Sequence, residues 1–148
     1  MSETILDVRD VDIRSGGVVA VDGVSFSVKR SLVHGLIGPN GAGKTTLLNG
    51  ITRLVPVQQG RISFLDKDIT ATPTHRIASL GIAQSPEGRR IFPRMSVMEN
   101  LKMGSPPSAS DFDGNLARVL DLFPRLKERL SQRGGTLSGG EQQMLAIG

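Results

Sequence analysis

Between Ile5 and Ile13, apolar residues at positions 6, 8, 11 and 13 are interleaved with charged ones, and from Val18 to Val28 the run VVAVDGVSFSV continues with partial alternation. A period near two predicts a pair of β-strands, and Ser15-Gly16-Gly17 between them predicts the turn of a hairpin. Val33 to Ile37, VHGLI, is short, largely apolar and bounded by a glycine-rich stretch. This suits a strand covered on both faces. Beyond that stretch the period changes: Leu47, Leu48, Ile51 and Leu54 recur at helical spacing and predict a helix with one apolar side.

Gln59-Gly60 then turns into a predicted strand, Arg61 to Leu65. Pro73 stands at the start of a predicted helix carrying Ile77 and Leu80, which Gly81 ends. Ile82 to Gln84 reads as a short strand leading into the loop SPEGRRIFPRM. Ser96 is placed to cap the helix VMENLKMG, with Glu99 at the reciprocal capping-box position. GSPPSASD is a loop within the domain rather than an interdomain linker. Phe112, Leu116, Val119, Leu120 and Phe123 share one helical face, and Pro124 restarts the path as a second short helix ending near Leu130. No internal repeat or low-complexity tract interrupts this order.

Composition narrows the class. A chain of 148 residues with 38% hydrophobic and 22% charged residues is ordinary globular usage with room for one domain. No apolar run approaches the roughly 18 to 20 residues that cross a bilayer, and MSETILDVRD lacks the regions of a signal peptide, so the expectation is cytoplasmic. The absence of cysteine excludes disulfides and thiolate metal sites. The net charge is +4, but the basic residues are scattered, with Arg89-Arg90 the single basic pair in the middle of the chain. Trp and Tyr are absent and Phe numbers five, so a base-stacking platform is poorly equipped and no nucleic-acid partner is expected. His34 and His75 have no companions at ligand spacing and read as structural.

Chemistry concentrates in two stretches. In Gly38-Pro39-Asn40-Gly41-Ala42-Gly43-Lys44-Thr45, small residues let backbone N–H groups turn inward around a phosphate chain. Lys44 is spaced to reach the β- and γ-phosphates and Thr45 to offer its hydroxyl to Mg²⁺. The following helix start adds its partial positive charge, and Thr46 belongs to the same set. Strand, glycine loop and helix come in the order such a loop needs. The second stretch is Leu137-Ser138-Gly139-Gly140-Glu141, where a hydroxyl, two bare glycines and a helix start converge.

Together the two stretches resemble an ABC ATPase, and SPEGRRIFPRMSVMENLKMG with FPRLKERLSQRGGTLSGGEQQMLAIG narrows the resemblance to the ATP-binding subunit of branched-chain amino acid importers. The resemblance covers essentially all 148 residues. It implies an α/β P-loop NTPase fold with a RecA-like core, an N-terminal antiparallel β-subdomain and a helical subdomain. The expected division is 1–84, 85–135 and 136–148, with the fold incomplete at its C-terminus. It implies ATP and Mg²⁺ as cofactors, and a site shared between two subunits: Lys44 and Thr45 from one, Ser138, Gly139 and Gly140 from the other. Alignment on Pro93, Ser96, Val97, Glu99 and Asn100 puts Glu87, not Gln84, where relatives carry a γ-phosphate and permease sensor, so Lys44 and Glu87 are the implied catalytic residues. Implied partners are a second ATPase subunit, identical or different, membrane permease subunits and, indirectly, a periplasmic binding protein. The implied location is the inner face of the plasma membrane. Phe92, Met95, Met98 and Met103 are candidates for apolar contacts with the permease, with core packing the plainer account.

Three departures qualify the resemblance. Ser15 stands where relatives stack the adenine on an aromatic ring, and Ser31-Leu32 where they carry Gly-Glu, the latter without a functional account. The family's Mg²⁺-holding Asp, water-polarising Glu and γ-phosphate His follow the signature helix and have no counterpart in these 148 residues. The chain by itself is therefore expected to bind ATP without appreciable hydrolysis, and Val33 to Ile37 to have bare strand edges. The rival functions are an importer for urea or other amides, a soluble ABC ATPase of DNA repair or ribosomes, and a non-catalytic nucleotide-binding fragment. The spacing from Lys44 to Ser138 leaves no room for the coiled-coil insertion of the soluble class.

Overall fold

Alternation in the first thirty residues folds as a hairpin. Strands β1 (Thr4–Ser15) and β2 (Val18–Lys29) pair antiparallel from Ser15↔Val18 outward, turning at Gly16-Gly17. The register slips between Val8 and Val11, where Asp10 takes a positive φ of 47° and its N–H finds the Ser25 hydroxyl at 2.8 Å. Such a bulge lets both flanking valines face inward. Strand β3 (Gln59–Phe64) pairs with the other edge of β1, and the two-residue β4 (Lys67–Asp68) pairs with β3, giving a four-stranded antiparallel sheet in the order β2-β1-β3-β4.

The computed structural model describes residues 3–105 and 111–148, so five residues of the predicted GSPPSASD loop, 106–110, lie outside the described residues. The chain divides into two compact units between Gln84 and Ser85, each with its own core. In the first, Val8, Val11, Ile13, Val21 and Ile62 of the sheet pack with Leu47 and Ile51 of helix α1 (Lys44–Ile51) and with Ile77 of helix α2 (Thr74–Ser79). Removing such side chains from water contributes about 1.5 to 3 kcal/mol each, so this cluster fixes where α1 begins. Gly50 lets α1 lie close to the sheet, because a Cβ there would collide with Ile13.

In the second unit, helix α3 (Val97–Gly104) starts at the expected cap: Ser96 Oγ accepts the Glu99 N–H at 3.2 Å and Glu99 accepts the Ser96 N–H at 2.7 Å. Helices α4 (Phe112–Leu122) and α5 (Pro124–Lys127) follow, and α6 (Gly139–Ile147) comes last. Val97, Leu101, Leu126, Leu137 and Leu145 form the core, with the partly buried face of Leu116, Val119, Leu120 and Phe123 packed against it.

Several sequence expectations need correction. Val33 to Ile37 and Ile82 to Gln84 do not form strands, since neither has a hydrogen-bonded strand neighbour among the described residues. A lone strand leaves its backbone groups to water and gains nothing from being flat. Val33 and Ile37 are almost fully exposed, the latter at 95%, so the segment neither pairs as a strand nor is covered, contrary to the expected strand. Helix α1 ends at Ile51, where Thr52 caps it and Arg53 turns left-handed, so Leu54 leaves the apolar stripe and is exposed. The segment after Pro124 stays helical only to Lys127.

Candidate functional site

The phosphate loop lies in the first unit. Gly41 and Gly43 have φ of 83° and 86°, a left-handed backbone that side chains with a Cβ adopt only under strain. Gly43 has a second reason to be glycine: a Cβ there would run into the carbonyl oxygen of Ala20 on β2. Gly41 faces open space, and Pro39 closes the turn by accepting the Ala42 N–H at 3.2 Å. The N-cap Gly43 brings no side-chain acceptor and the first turn of α1 carries no acid, so no carboxylate of that turn offsets the positive end of the helix.

Lys44 leads back over this loop. Its ammonium donates to the carbonyls of Gly38 at 2.6 Å and Pro39 at 2.7 Å, which places the charge at the loop's mouth instead of in solvent. Asn40, Ala42, Thr45 and Thr46 complete the turn and the first helical residues, with Thr45 exposed and Thr46 half-buried. The far end of α1 is pinned by a network that sequence reading missed. Thr52 Oγ1 donates to Gln84 Oε1 at 2.8 Å, and Gln84 Nε2 donates to Asn49 Oδ1 at 3.1 Å. Gln84, set aside as a sensor in favour of Glu87, thus serves here to hold the phosphate-loop helix. A left-handed glycine turn and one cation at its mouth, with a hydroxyl on the next residue, are a set that fits a phosphate chain. No cluster of three acidic or histidine side chains occurs among the described residues.

The signature stretch lies in the second unit. Ser138 is the N-cap of α6, its hydroxyl accepting the Glu141 N–H at 3.3 Å while Glu141 accepts the Ser138 N–H at 2.9 Å. This reciprocal contact holds the Glu141 carboxyl below its ordinary range, with Arg129 and Arg125 adding a smaller pull. Arg129 Nε stands 3.1 Å from Glu141, a charge contact without hydrogen-bond alignment. Gly139 and Gly140 follow with ordinary helical backbone, and a Cβ on Gly140 would meet nothing within 4 Å. Ahead of them, Gly134 to Leu137 is tied down: the N–H groups of Gly134 and Gly135 reach the carbonyls of Met95 and Pro93 at 2.9 and 3.0 Å.

Glu87 sits exposed in the turn of the PEGRR loop, where Gly88, Arg89 and Arg90 all take positive φ. The loop's exit is clamped by Asn100, which accepts the Phe92 N–H at 2.7 Å and donates to the carbonyls of Phe92 and Ser96 at 3.0 and 2.9 Å. Arg89 crosses to α6 and donates to Gln142 Oε1 at 3.0 Å. Sequence reading noted Arg89-Arg90 as the one central basic pair, and that was the only signal pointing to this contact.

A family model described as ABC transporter matches residues 21–148. The chain belongs to the ABC transporter family. It is 46% identical over 134 residues to a high-affinity branched-chain amino acid transport ATP-binding protein, BraG, of Pseudomonas aeruginosa, covering 90% of this chain and 58% of BraG. It is 37% identical to a probable branched-chain amino acid transport ATP-binding protein, LivF, of Archaeoglobus fulgidus, covering 84% of this chain and 53% of that one. The chain therefore spans a little over half the length of these relatives. A nucleotide-free ATP-binding cassette from an ABC transporter superposes with a TM-score of 0.85 at 31% identity, covering 98% of this chain and 63% of that structure.

The fold is thus that of an ABC ATPase domain, as the two glycine-rich stretches implied. In this family member the loop residues 38–46 come together in one unit, while Glu87, Arg89 and Ser138 to Gly140 belong to the other. No helix among the described residues is long and apolar enough to cross a membrane.

Proposed function

We propose that this chain is the nucleotide-gripping part of an ABC importer ATPase that couples ATP binding and hydrolysis to uptake of branched-chain amino acids through a separate permease. The observation that carries the reading is the Lys44 ammonium held on the Gly38 and Pro39 carbonyls at the mouth of a loop whose glycines turn left-handed. A cation and bare backbone donors brought together in this way suit a polyphosphate and little else. Thr45 would ligate its Mg²⁺, and ATP supplies the phosphoanhydride whose cleavage drives transport.

Ser138, Gly139 and Gly140 are proposed to cover the terminal phosphate held by a second subunit, and Glu87 to sense it. Support for the solute comes from the names of the relatives and the PEGRR loop that the resemblance rests on. The whole protein would sit at the cytoplasmic face of the membrane against its permease, fed by a periplasmic binding protein. The literal 148-residue chain is proposed to bind ATP without cutting it, because catalysis of phosphoryl transfer needs water, metal and charge placed together.

Calorimetric titration with Mg-ATP tests this. Lys44→Ala should weaken binding by about 100-fold, since a charge-assisted contact to phosphate is lost. Ser138→Ala should leave binding to a single subunit within about twofold and weaken ATP-driven pairing instead. Wild-type binding that Lys44→Ala leaves intact overturns the reading, as does phosphate release by this chain above the Lys44→Ala control for the claim of binding without hydrolysis.

A further inference from the structure

Arg89 and Gln142 lie 53 positions apart and meet at 3.0 Å. The Gln142 amide nitrogen is spoken for twice, donating to the carbonyls of Gly134 at 3.3 Å and Leu137 at 3.2 Å. That fixes the orientation of the amide: its oxygen is turned to Arg89, and the nitrogen holds the residue immediately before Ser138. The other terminal nitrogen of Arg89, Nη2, stands 3.1 Å from where a Cβ on Gly139 would be. The guanidinium is therefore seated against the first signature glycine on one side and locked to Gln142 on the other.

At its own end, Arg89 belongs to three consecutive left-handed residues, Gly88, Arg89 and Arg90, with φ of 75°, 63° and 48°, closed by Arg90 N–H donating to the Gly88 carbonyl at 2.6 Å. For two arginines this backbone costs energy that ordinary loops avoid, and residues held so are over-determined by their surroundings. Here the restraints are the Asn100 clamp downstream and the Gln142 contact. Glu87 is two positions before Arg89, so displacement of the loop at Glu87 pulls directly on the guanidinium.

We propose that Arg89 is a positioning residue that links the Glu87 loop to the signature: through Gln142 it holds Leu137 to Gly139 in the shape that meets the partner's nucleotide. The proposal rests on the reading of Ser138 to Gly140 as a cover for a second subunit's ATP. Arg89 touches no nucleotide in this account. Its planar fork reaches Gln142 while lying along Gly139, a geometry that the point charge of lysine does not reproduce.

The test uses the complete protein that contains this chain and reads two quantities: Mg-ATP affinity of the single subunit by calorimetry, and ATP-driven pairing by analytical ultracentrifugation. Arg89→Ala should leave the first within about twofold and weaken the second by about five- to tenfold, the upper part of the range for one ordinary hydrogen bond, since Arg89 acts at one remove from the interface. Gln142→Ala should weaken pairing at least as much, since it also frees the Gly134 and Leu137 carbonyls, and the double variant should be no worse than Gln142→Ala alone, because Arg89 acts through Gln142. Arg89→Lys, which keeps the charge and spares the fold, should recover less than half of the lost pairing. A purely structural role would lower the melting temperature and the single-subunit affinity together, and that outcome overturns the proposal. So does wild-type pairing in Arg89→Ala, or additivity in the double variant. If Ser138→Ala also pairs like wild type, the failure lies in the reading of the signature itself, and the proposal falls with it.

Discussion

The phosphate loop and the signature both lead through glycines into a helix, and they use those glycines for different reasons. At Gly41 and Gly43 the backbone is left-handed, and Gly43 presses on the Ala20 carbonyl, so glycine is demanded by conformation. At Gly139 and Gly140 the backbone is plainly helical and Gly140 faces open space, so glycine is a matter of clearance. The helix starts differ in the same sense. Helix α1 begins with no side-chain cap bond and no acid, whereas α6 begins with Ser138 and Glu141 satisfying each other. One helix start carries no carboxylate of its own. The other carries one that closes its cap.

The sharpest way to break this contrast is a matched pair of substitutions. Gly43→Ala forces a Cβ into the Ala20 carbonyl at a φ that alanine disfavours, and should cost about 3 kcal/mol or more in urea unfolding. Gly140→Ala should fall within about 1 kcal/mol of wild type on either side, since alanine suits a helix. Equal losses at the two sites would show that conformation does not distinguish them.

The next effect in size concerns nucleotide affinity. Ser15, exposed at the end of β1 just before the hairpin turn, offers no ring to an adenine. Ser15→Tyr should tighten Mg-ATP binding by about tenfold in a calorimetric titration, the scale of one stacking contact. Unchanged affinity would place the base elsewhere.

Acid provides the mildest discrimination. Hydrogen bonds from Ser96 hold the Glu99 carboxyl low, as those from Ser138 hold Glu141, both against an ordinary value of 4.5. A carboxyl depressed in the folded state contributes stability that is fully present above that value and is lost as pH falls through the lower folded one. Loss of the Ser138–Glu141 capping box as pH falls below 4.5 should therefore lower the protection of α6 amides, measured relative to their intrinsic exchange rates, more than that of α1, whose first turn has no acid to be protonated. Equal loss of protection in both helices would contradict the assignment.

Local signals made much of this legible in the sequence. Ser96 with Glu99 and Ser138 with Glu141 announce their helices because a capping box is a contact between residues three apart. The Gly16-Gly17 hairpin and the Pro73 start are local in the same way. Strand formation is not local: VHGLI has every property of a buried strand and forms none, because being a strand depends on neighbours that the residues themselves do not encode. The Arg89–Gln142 contact was illegible for a related reason, as nothing in either residue's surroundings names the other. The glycine loop's conformation was readable because glycine spacing marks a left-handed turn, whereas the bonds of Gln84 to Asn49 and Thr52 were not, because those partners lie on a different element.

The nesting of Gly43 beneath Ala20 sets a length standard on the hairpin. Residues added at the Gly16-Gly17 tip would bulge outward and leave the loop alone, while a single residue gained or lost between Val18 and Val21 would slide another carbonyl or a side chain over Gly43. Related chains should thus vary freely in the size of that tip and hardly at all in the count from Val18 to Ala20.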